Sequence, residues 1–219
     1  MKKLILLLIL IGLACFNGFG QAKEITRKEY YKIYNDALNK TSEMPSKRTE
    51  EATFYDDNGK VSFTQTTIEE KLANKSQYVE IEKRNNKIVS QNEMIKIDDV
   101  IYCRKNNGNW EKTDKWCGFG GGRGLPNIIE QKYTFEKTKE NRKTFSLYQN
   151  YATYKNDFSK NKDQEGLSFW QNKFWLDKNG FITKIEEISG LIDSNKIYSK
   201  RLMKFEYNPK NLKIEAPIK

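Results

Sequence analysis

The hydrophobic pattern of the chain changes period once. Tyr30, Ile33, Tyr34, Ala37 and Leu38 recur at helical spacing and fall on one face. Thr26 and Glu29 stand in the T-x-x-E spacing, at which an N-cap hydroxyl and an N3 carboxylate satisfy each other's backbone N–H groups. The pattern predicts a helix opening at Thr26, with its apolar stripe packed on a core. After Pro45 the alternation becomes that of strands, and it stays so.

Asn58-Gly59, Asn85-Asn86, Asp98-Asp99, Asn107-Gly108 and Asn179-Gly180 punctuate the alternation as two-residue hairpin turns. Each turn fixes a register. The first sets Asp57 opposite Lys60 and Phe54 opposite Phe63. Turns at Asp98-Asp99 and Asn107-Gly108 place Arg104 between Glu93 and Glu111. The turn at Asn179-Gly180 sets Phe174 against Ile185 and Lys173 against Glu186. Glycine breaks the sheet between Lys115 and Lys132, where Leu125 to Glu130 is expected to hold a short helix starting at Pro126.

Strands resume around Glu140-Asn141-Arg142. There Phe145, Leu147 and Tyr151 share one face, and Tyr148, Ala152 and Tyr154 the other. Both faces are apolar, so one is expected to pack on helix and the other to line a cavity. Asn156 to Gly166 reads as a polar loop. A long strand over Lys196 to Tyr207 ends at Asn208-Pro209, and the tail reads as a last short strand. One helix and a large antiparallel meander make an α+β domain over 23–219, with no internal repeat or linker.

Residues 1–22 carry a different pattern. Lys2 and Lys3 precede the almost unbroken apolar run Leu4 to Leu13, and Gly20-Gln21-Ala22 has the small residues of a signal-peptidase site. The expectation is a secretory signal peptide and an exported, periplasmic protein. An alternative is a membrane-tethered lipoprotein: Cys15 follows Gly12-Leu13-Ala14, a lipobox-like run in which Gly12 replaces an aliphatic residue. The whole chain has formal net charge +10. A basic exported protein meets anionic lipid headgroups, acidic glycans or acidic partners rather than nucleic acid. Aromatics make up 13% of the residues, which argues against disorder.

Histidine is absent, which removes Ser-His-Asp and Cys-His catalysis and imidazole-bound zinc. The adjacent acids Glu69-Glu70 and Glu186-Glu187 point to opposite faces of their strands and form no catalytic pair. Neither a catalytic residue nor a metal ligand set is assigned, and the reading is non-enzymatic. Beyond Cys15 only Cys103 and Cys117 remain. In an oxidising compartment they imply a disulfide closing a loop of about 15 residues, worth about 3 kcal/mol; two separate thiols are the other option.

Taken in order, these features resemble the LolA/LolB-like superfamily of periplasmic lipoprotein and lipid carriers. The stretch E-M-I-x-I-D-D-x-x-Y-x-R-x-x-x-G-x-W from Glu93 to Trp110 and F-x-Y-N-P-K-N-L-K-I-E-A-P from Phe205 to Pro217 carry the likeness, with the leader and the single amphipathic helix. The resemblance implies a strongly curved, incompletely closed antiparallel β-barrel, a half-barrel. The N-terminal helix and a short central helix or loop would cover its open side, and an apolar cavity would hold acyl chains. The partners it implies are lipid or lipoprotein acyl chains, with membrane-surface contact through the basic charge.

The glycine-rich stretch WCGFGGGRGLP, Trp116 to Pro126, fits neither the G-x-G-x-x-G nor the Walker spacing, so no nucleotide cofactor is implied. It reads as a flexible connection or, functionally, as a lip over the cavity mouth or a weak anion nest around Arg123. The expected cavity and lip residues are Trp110, Trp116, Phe119, Arg123, Phe145, Leu147 and Tyr151. An alternative function is a glycan- or protein-binding surface module that uses Trp110, Trp170 and Trp175 as stacking platforms.

Overall fold

Thr26 starts the helix as its sequence demands. In the computed structural model its hydroxyl accepts the Glu29 N–H at 3.2 Å, and its own N–H donates to the Glu29 carboxylate at 2.7 Å. Helix α1 then runs Arg27–Thr41. The structure describes residues 22–115, 117, 127–155, 167–192 and 194–218. The leader, Cys15, Trp116, Phe119, Arg123, the expected lip and the loop at 156–166 lie outside the described residues.

Twelve strands are described. They are β1 (Lys23–Glu24), β2 (Ser46–Tyr55), β3 (Val61–Leu72), β4 (Lys75–Arg84), β5 (Lys87–Ile97), β6 (Val100–Lys105) and β7 (Glu111–Thr113), then β8 (Asn127–Glu140), β9 (Lys143–Lys155), β10 (Leu167–Leu176), β11 (Ile182–Leu191) and β12 (Lys196–Tyr207). They form one antiparallel sheet in the order β1-β8-β9-β10-β11-β12-β2-β3-β4-β5-β6-β7, which does not close on itself. Two meanders, β2–β7 and β8–β12, join where β12 pairs with β2. With one described helix, the fold is α+β.

The turns explain the register. Asp56-Asp57-Asn58-Gly59 and Asp177-Lys178-Asn179-Gly180 build the same reversal twice. In each, the glycine takes positive φ (+72° and +77°) and its N–H donates to the aspartate carbonyl at 3.0 Å. The aspartate carboxylate accepts two more backbone N–H groups: Asn58 and Lys60 on Asp56, Asn179 and Phe181 on Asp177. These loops are one residue longer than the expected turns, so Asp57 does not face Lys60; the Asp56 N–H donates to the Lys60 carbonyl instead. A register shift just beyond each loop absorbs the extra residue. Phe54 therefore pairs with Phe63, their rings stacked at 4.2 Å, and Phe174 with Ile185, as expected.

Three further expectations are corrected. Asn106 and Asn107 both take positive φ, so the chain reverses one residue earlier than Asn107-Gly108. Glu111 then faces Cys103, not Arg104. Asn106 is fixed there by Gln91, whose N–H its side chain accepts at 2.9 Å. Next, Asn127–Glu130 are not helical; they open β8 and pair with β9 as far as Lys155, because a strand edge is available to satisfy their backbone groups. Last, the tail after Tyr207 is irregular rather than a strand. It is held by burial of Ile214, whose carbonyl accepts from Lys75 Nζ at 3.4 Å.

Candidate functional site

Helix α1 defines a helix-facing side of the sheet. Tyr30 and Tyr34 meet Phe174 edge-on at 5.2 Å, and Tyr148 stacks on Phe174 at 5.0 Å. Leu176, Ile182 and Ile185 complete this core. The Tyr148 and Ala152 face of β9 is thus the one that packs under the helix. Burial pushes the Tyr30 phenol well up from its ordinary pKa, and the Tyr34 phenol up as well.

A polar row crosses this apolar floor. The Tyr30 hydroxyl donates to Asn172 Oδ1 at 2.9 Å, and Asn172 Nδ2 donates to Glu187 at 3.1 Å. Arg201 reaches Glu187 at 3.5 Å and Glu50 at 3.1 Å. Arg48 pairs with Glu69 at 3.0 Å on the same side. Helix α1 and four strands, β10, β11, β12 and β2, supply the Tyr30-to-Glu50 relay, and the strand register sets Asn172, Glu187 and Arg201 in one line. The relay binds helix to sheet by hydrogen bonds and ion pairs, with each carboxylate already matched to a cation.

Beyond the helix, the same side continues through Tyr78, Met94 and Cys103, which lie in one register row with Arg48 and Glu69. Met94 and Ile101 are buried, and Cys103 is bonded to Cys117 with Cα atoms 5.7 Å apart. The expected disulfide is formed.

The sequence-derived site residues are not all brought together. Phe145, Leu147 and Tyr151 do share a face, but it points away from α1. There Leu147 lies opposite a buried Trp175, and Tyr151 stacks on Phe169 at 5.9 Å. Trp110 sits near the opposite edge of the sheet, 4.8 Å from the Arg104 guanidinium. Of the three tryptophans considered as platforms, Trp175 is buried under Lys184, whose Nζ lies 3.9 Å from the ring centre. Trp110 and Trp170 are half-buried. The acid pairs separate as alternation requires: Glu69 meets Arg48 while Glu70 meets Lys47, and Glu187 meets Arg201 while Glu186 meets Lys184.

An open cleft of about 650 Å³ lies elsewhere, between the start of α1 and β8. Lys23, Glu24, Arg27, Glu29 and Lys132 make its lining mostly charged, and of the expected cavity residues the described ones, Trp110, Phe145, Leu147 and Tyr151, are not among its lining. Sequence reasoning missed the relay from Tyr30 to Glu50 because its members lie far apart in the chain. The correct β10–β11 register already placed Asn172 against Glu187, and that was the available signal.

Among the described residues no helix is long and apolar enough to cross a membrane, and no group of three acidic or cysteine side chains is placed to hold a metal ion. The chain matches no protein-family model, and none of the curated proteins matches it.

Proposed function

We propose that this chain is an exported, non-enzymatic carrier or sensor of the bacterial cell envelope that holds lipid or lipoprotein acyl chains inside a curved half-barrel. The observation that carries the reading is a mismatch of lengths. Cys117 is tied to Cys103 on β6, and Asn127 at the start of β8 is only ten residues further on. Those strands stand nine pairing steps apart. Nine steps span about 43 Å across a flat sheet. The pairings also carry the Cys103 row to the Glu136 end of β8, on the order of 30 Å along that strand from Asn127. Ten residues and the 5.7 Å disulfide together reach about 42 Å at most. A sheet curled so that β6 and β8 approach one another removes the shortfall.

Cys103 lies on the helix-facing side, so the curl closes toward α1. The concave interior is then the face bearing Phe54, Phe63, Tyr78, Met94 and Ile101, with α1 over one half of it. Acyl chains contact these apolar groups, each buried methylene contributing about 0.8 kcal/mol, and a polar head meets the Arg48 and Arg201 ion pairs. Phe145, Leu147 and Tyr151 fall outside that interior. The burial of Trp175 weighs against the alternative of a glycan- or protein-binding module built on tryptophan platforms.

The test is native mass spectrometry of the full chain purified from membranes. Recovery of bound lipid or acylated peptide is expected. Recovery of empty protein alone, under conditions that retain cargo in an established carrier, overturns the proposal.

A further inference from the structure

We infer that the hairpin tips at one end of the sheet form a docking surface for an anionic lipid bilayer. The inference goes beyond the carrier reading and does not rest on it. Val61, Ile88 and Val89 are 54%, 56% and 48% exposed. They sit at the ends of β3 and β5, beside the turns at Asn58-Gly59 and Asn85-Asn86. Adjacent strand residues normally point to opposite faces, and one of two neighbours is usually covered. Here Lys83 pairs with Ile88 and Glu82 with Ser90, so Val89 is the extra residue of a bulge. The bulge leaves Val89 without a cross-strand partner beside the paired Ile88, and both side chains stay exposed.

The same device recurs at the same end of the sheet. Ile128 pairs with Tyr154 and Glu130 with Thr153, leaving Ile129 as the extra residue. Ile128, Ile129 and Leu167 are exposed there too. Among the described residues, every exposed large apolar side chain of the strands lies at this end; Tyr31, Leu38 and Ile218, the other exposed ones, belong to α1 and the tail.

Charge selects the partner. Lys60, Lys83 and Lys87 flank Val61 and the Ile88–Val89 pair, are exposed, and make no ion pair among the described residues. Arg84 pairs with Glu82 and lies over Phe63 at 5.6 Å. Aliphatic tips that alternate with unpaired lysines match a bilayer interface, where short apolar groups sink below the headgroups and ammonium groups meet phosphate. The acids of the same tips, Asp57 and Glu82, already pair with Lys196 and Arg84, so a second copy would meet an excess of positive charge.

The test uses the full chain with Cys15→Ser, so that one added cysteine carries an environment-sensitive fluorophore. It is placed at Ser62→Cys between the tips, or at Lys178→Cys in a turn at the other end. Vesicles are phosphatidylcholine, with or without phosphatidylglycerol. The leader is common to every variant, so the readout is which end enters the bilayer. The Ser62→Cys probe is expected to shift to the blue and to be quenched by spin-labelled lipid only when phosphatidylglycerol is present; the Lys178→Cys probe stays unchanged. Ile88→Asp with Val89→Asp, both exposed and so compatible with folding, is expected to weaken the Ser62→Cys response about tenfold. An equal response at Lys178→Cys, or an undiminished response in the double aspartate variant, overturns the proposal. So does a blue shift without vesicles accompanied by doubled mass, which would assign the surface to a second copy.

Discussion

Arg104 grips Glu93 across β5 and β6 with both arms of the carboxylate engaged: Nη2 lies 2.7 Å from each oxygen and Nε 3.0 Å from Oε1. Trp110 packs against the guanidinium, and Gln91 donates to Glu93 at 2.9 Å. The Glu93 side chain is 8% exposed and that of Arg104 29%. Removing the cation strands a buried carboxylate, whereas removing both partners does not. Arg104→Ala is expected to cost about 3 kcal/mol in urea unfolding, and Arg104→Lys a substantial part of that, because an ammonium cannot fork. Arg104→Ala with Glu93→Gln should recover part of the loss. A double variant no more stable than the single one would mean that the pair contributes through Trp110 packing alone.

The two Asp-x-Asn-Gly turns make a second prediction. Each aspartate carboxylate holds two N–H groups of its own loop. Asp177→Ala is expected to cost about 1–2 kcal/mol, and Asp177→Asn much less, since the amide oxygen still accepts. The urea midpoints of the two variants decide between side-chain acceptance and charge.

Those turns also show how far the chain announces its own fold. Phe54–Phe63 and Phe174–Ile185 were readable because the bulge beyond each loop restores the spacing that a two-residue turn would have produced. Arg104–Glu111 was not, since Asn106-Asn107-Gly108 offers two overlapping places to reverse, and Asn106 is chosen by its bonds to Gln91 on another strand. The site was less legible than the sheet. Alternation separated Leu147 from Tyr148 correctly, but it carries no information on which face the helix covers. The relay from Tyr30 through Asn172, Glu187 and Arg201 to Glu50 depends on β12 returning to β2, a pairing that no local pattern encodes.

Alkaline pH probes the helix–sheet contact. Burial raises the Tyr30 phenol, as do the neighbouring Tyr31, Tyr34 and Tyr133 and the Glu187 carboxylate. Tyr133 is pushed up to about 12, again first by burial. A group whose folded pKa is raised favours its protonated form in the fold. Its contribution is complete below the unfolded value, about 10 for tyrosine, and disappears as pH climbs toward the folded value. Stability is therefore expected to be unaffected by these phenols up to about pH 10 and to fall above it, with tyrosinate absorbance lagging behind that of free tyrosine until the chain unfolds. Tyr30→Phe should cost about 1 kcal/mol at neutral pH through the lost bond to Asn172, yet flatten the alkaline decline. An unchanged decline would place the sensitivity elsewhere.

Gly190 tests close packing of backbone on backbone. It pairs with Phe169 on β10 and Ile197 on β12, at a register shift after Ser189. A Cβ there would collide with the Lys196 carbonyl oxygen and lie 2.9 Å from Phe169 Cε1. The carbonyl belongs to the start of β12 and cannot swing aside as a side-chain tip can. Gly190→Ala is accordingly expected to cost about 2–4 kcal/mol, through separation of β11 from β12. Gly59→Ala is the control: nothing lies within 4 Å of its added Cβ, but φ is +72°. Its cost is conformational alone, about 1 kcal/mol. Calorimetry of both variants should show Gly190→Ala as clearly the worse. Equal losses would mean that the β11–β12 junction relaxes around a methyl group and that only backbone conformation constrains these glycines.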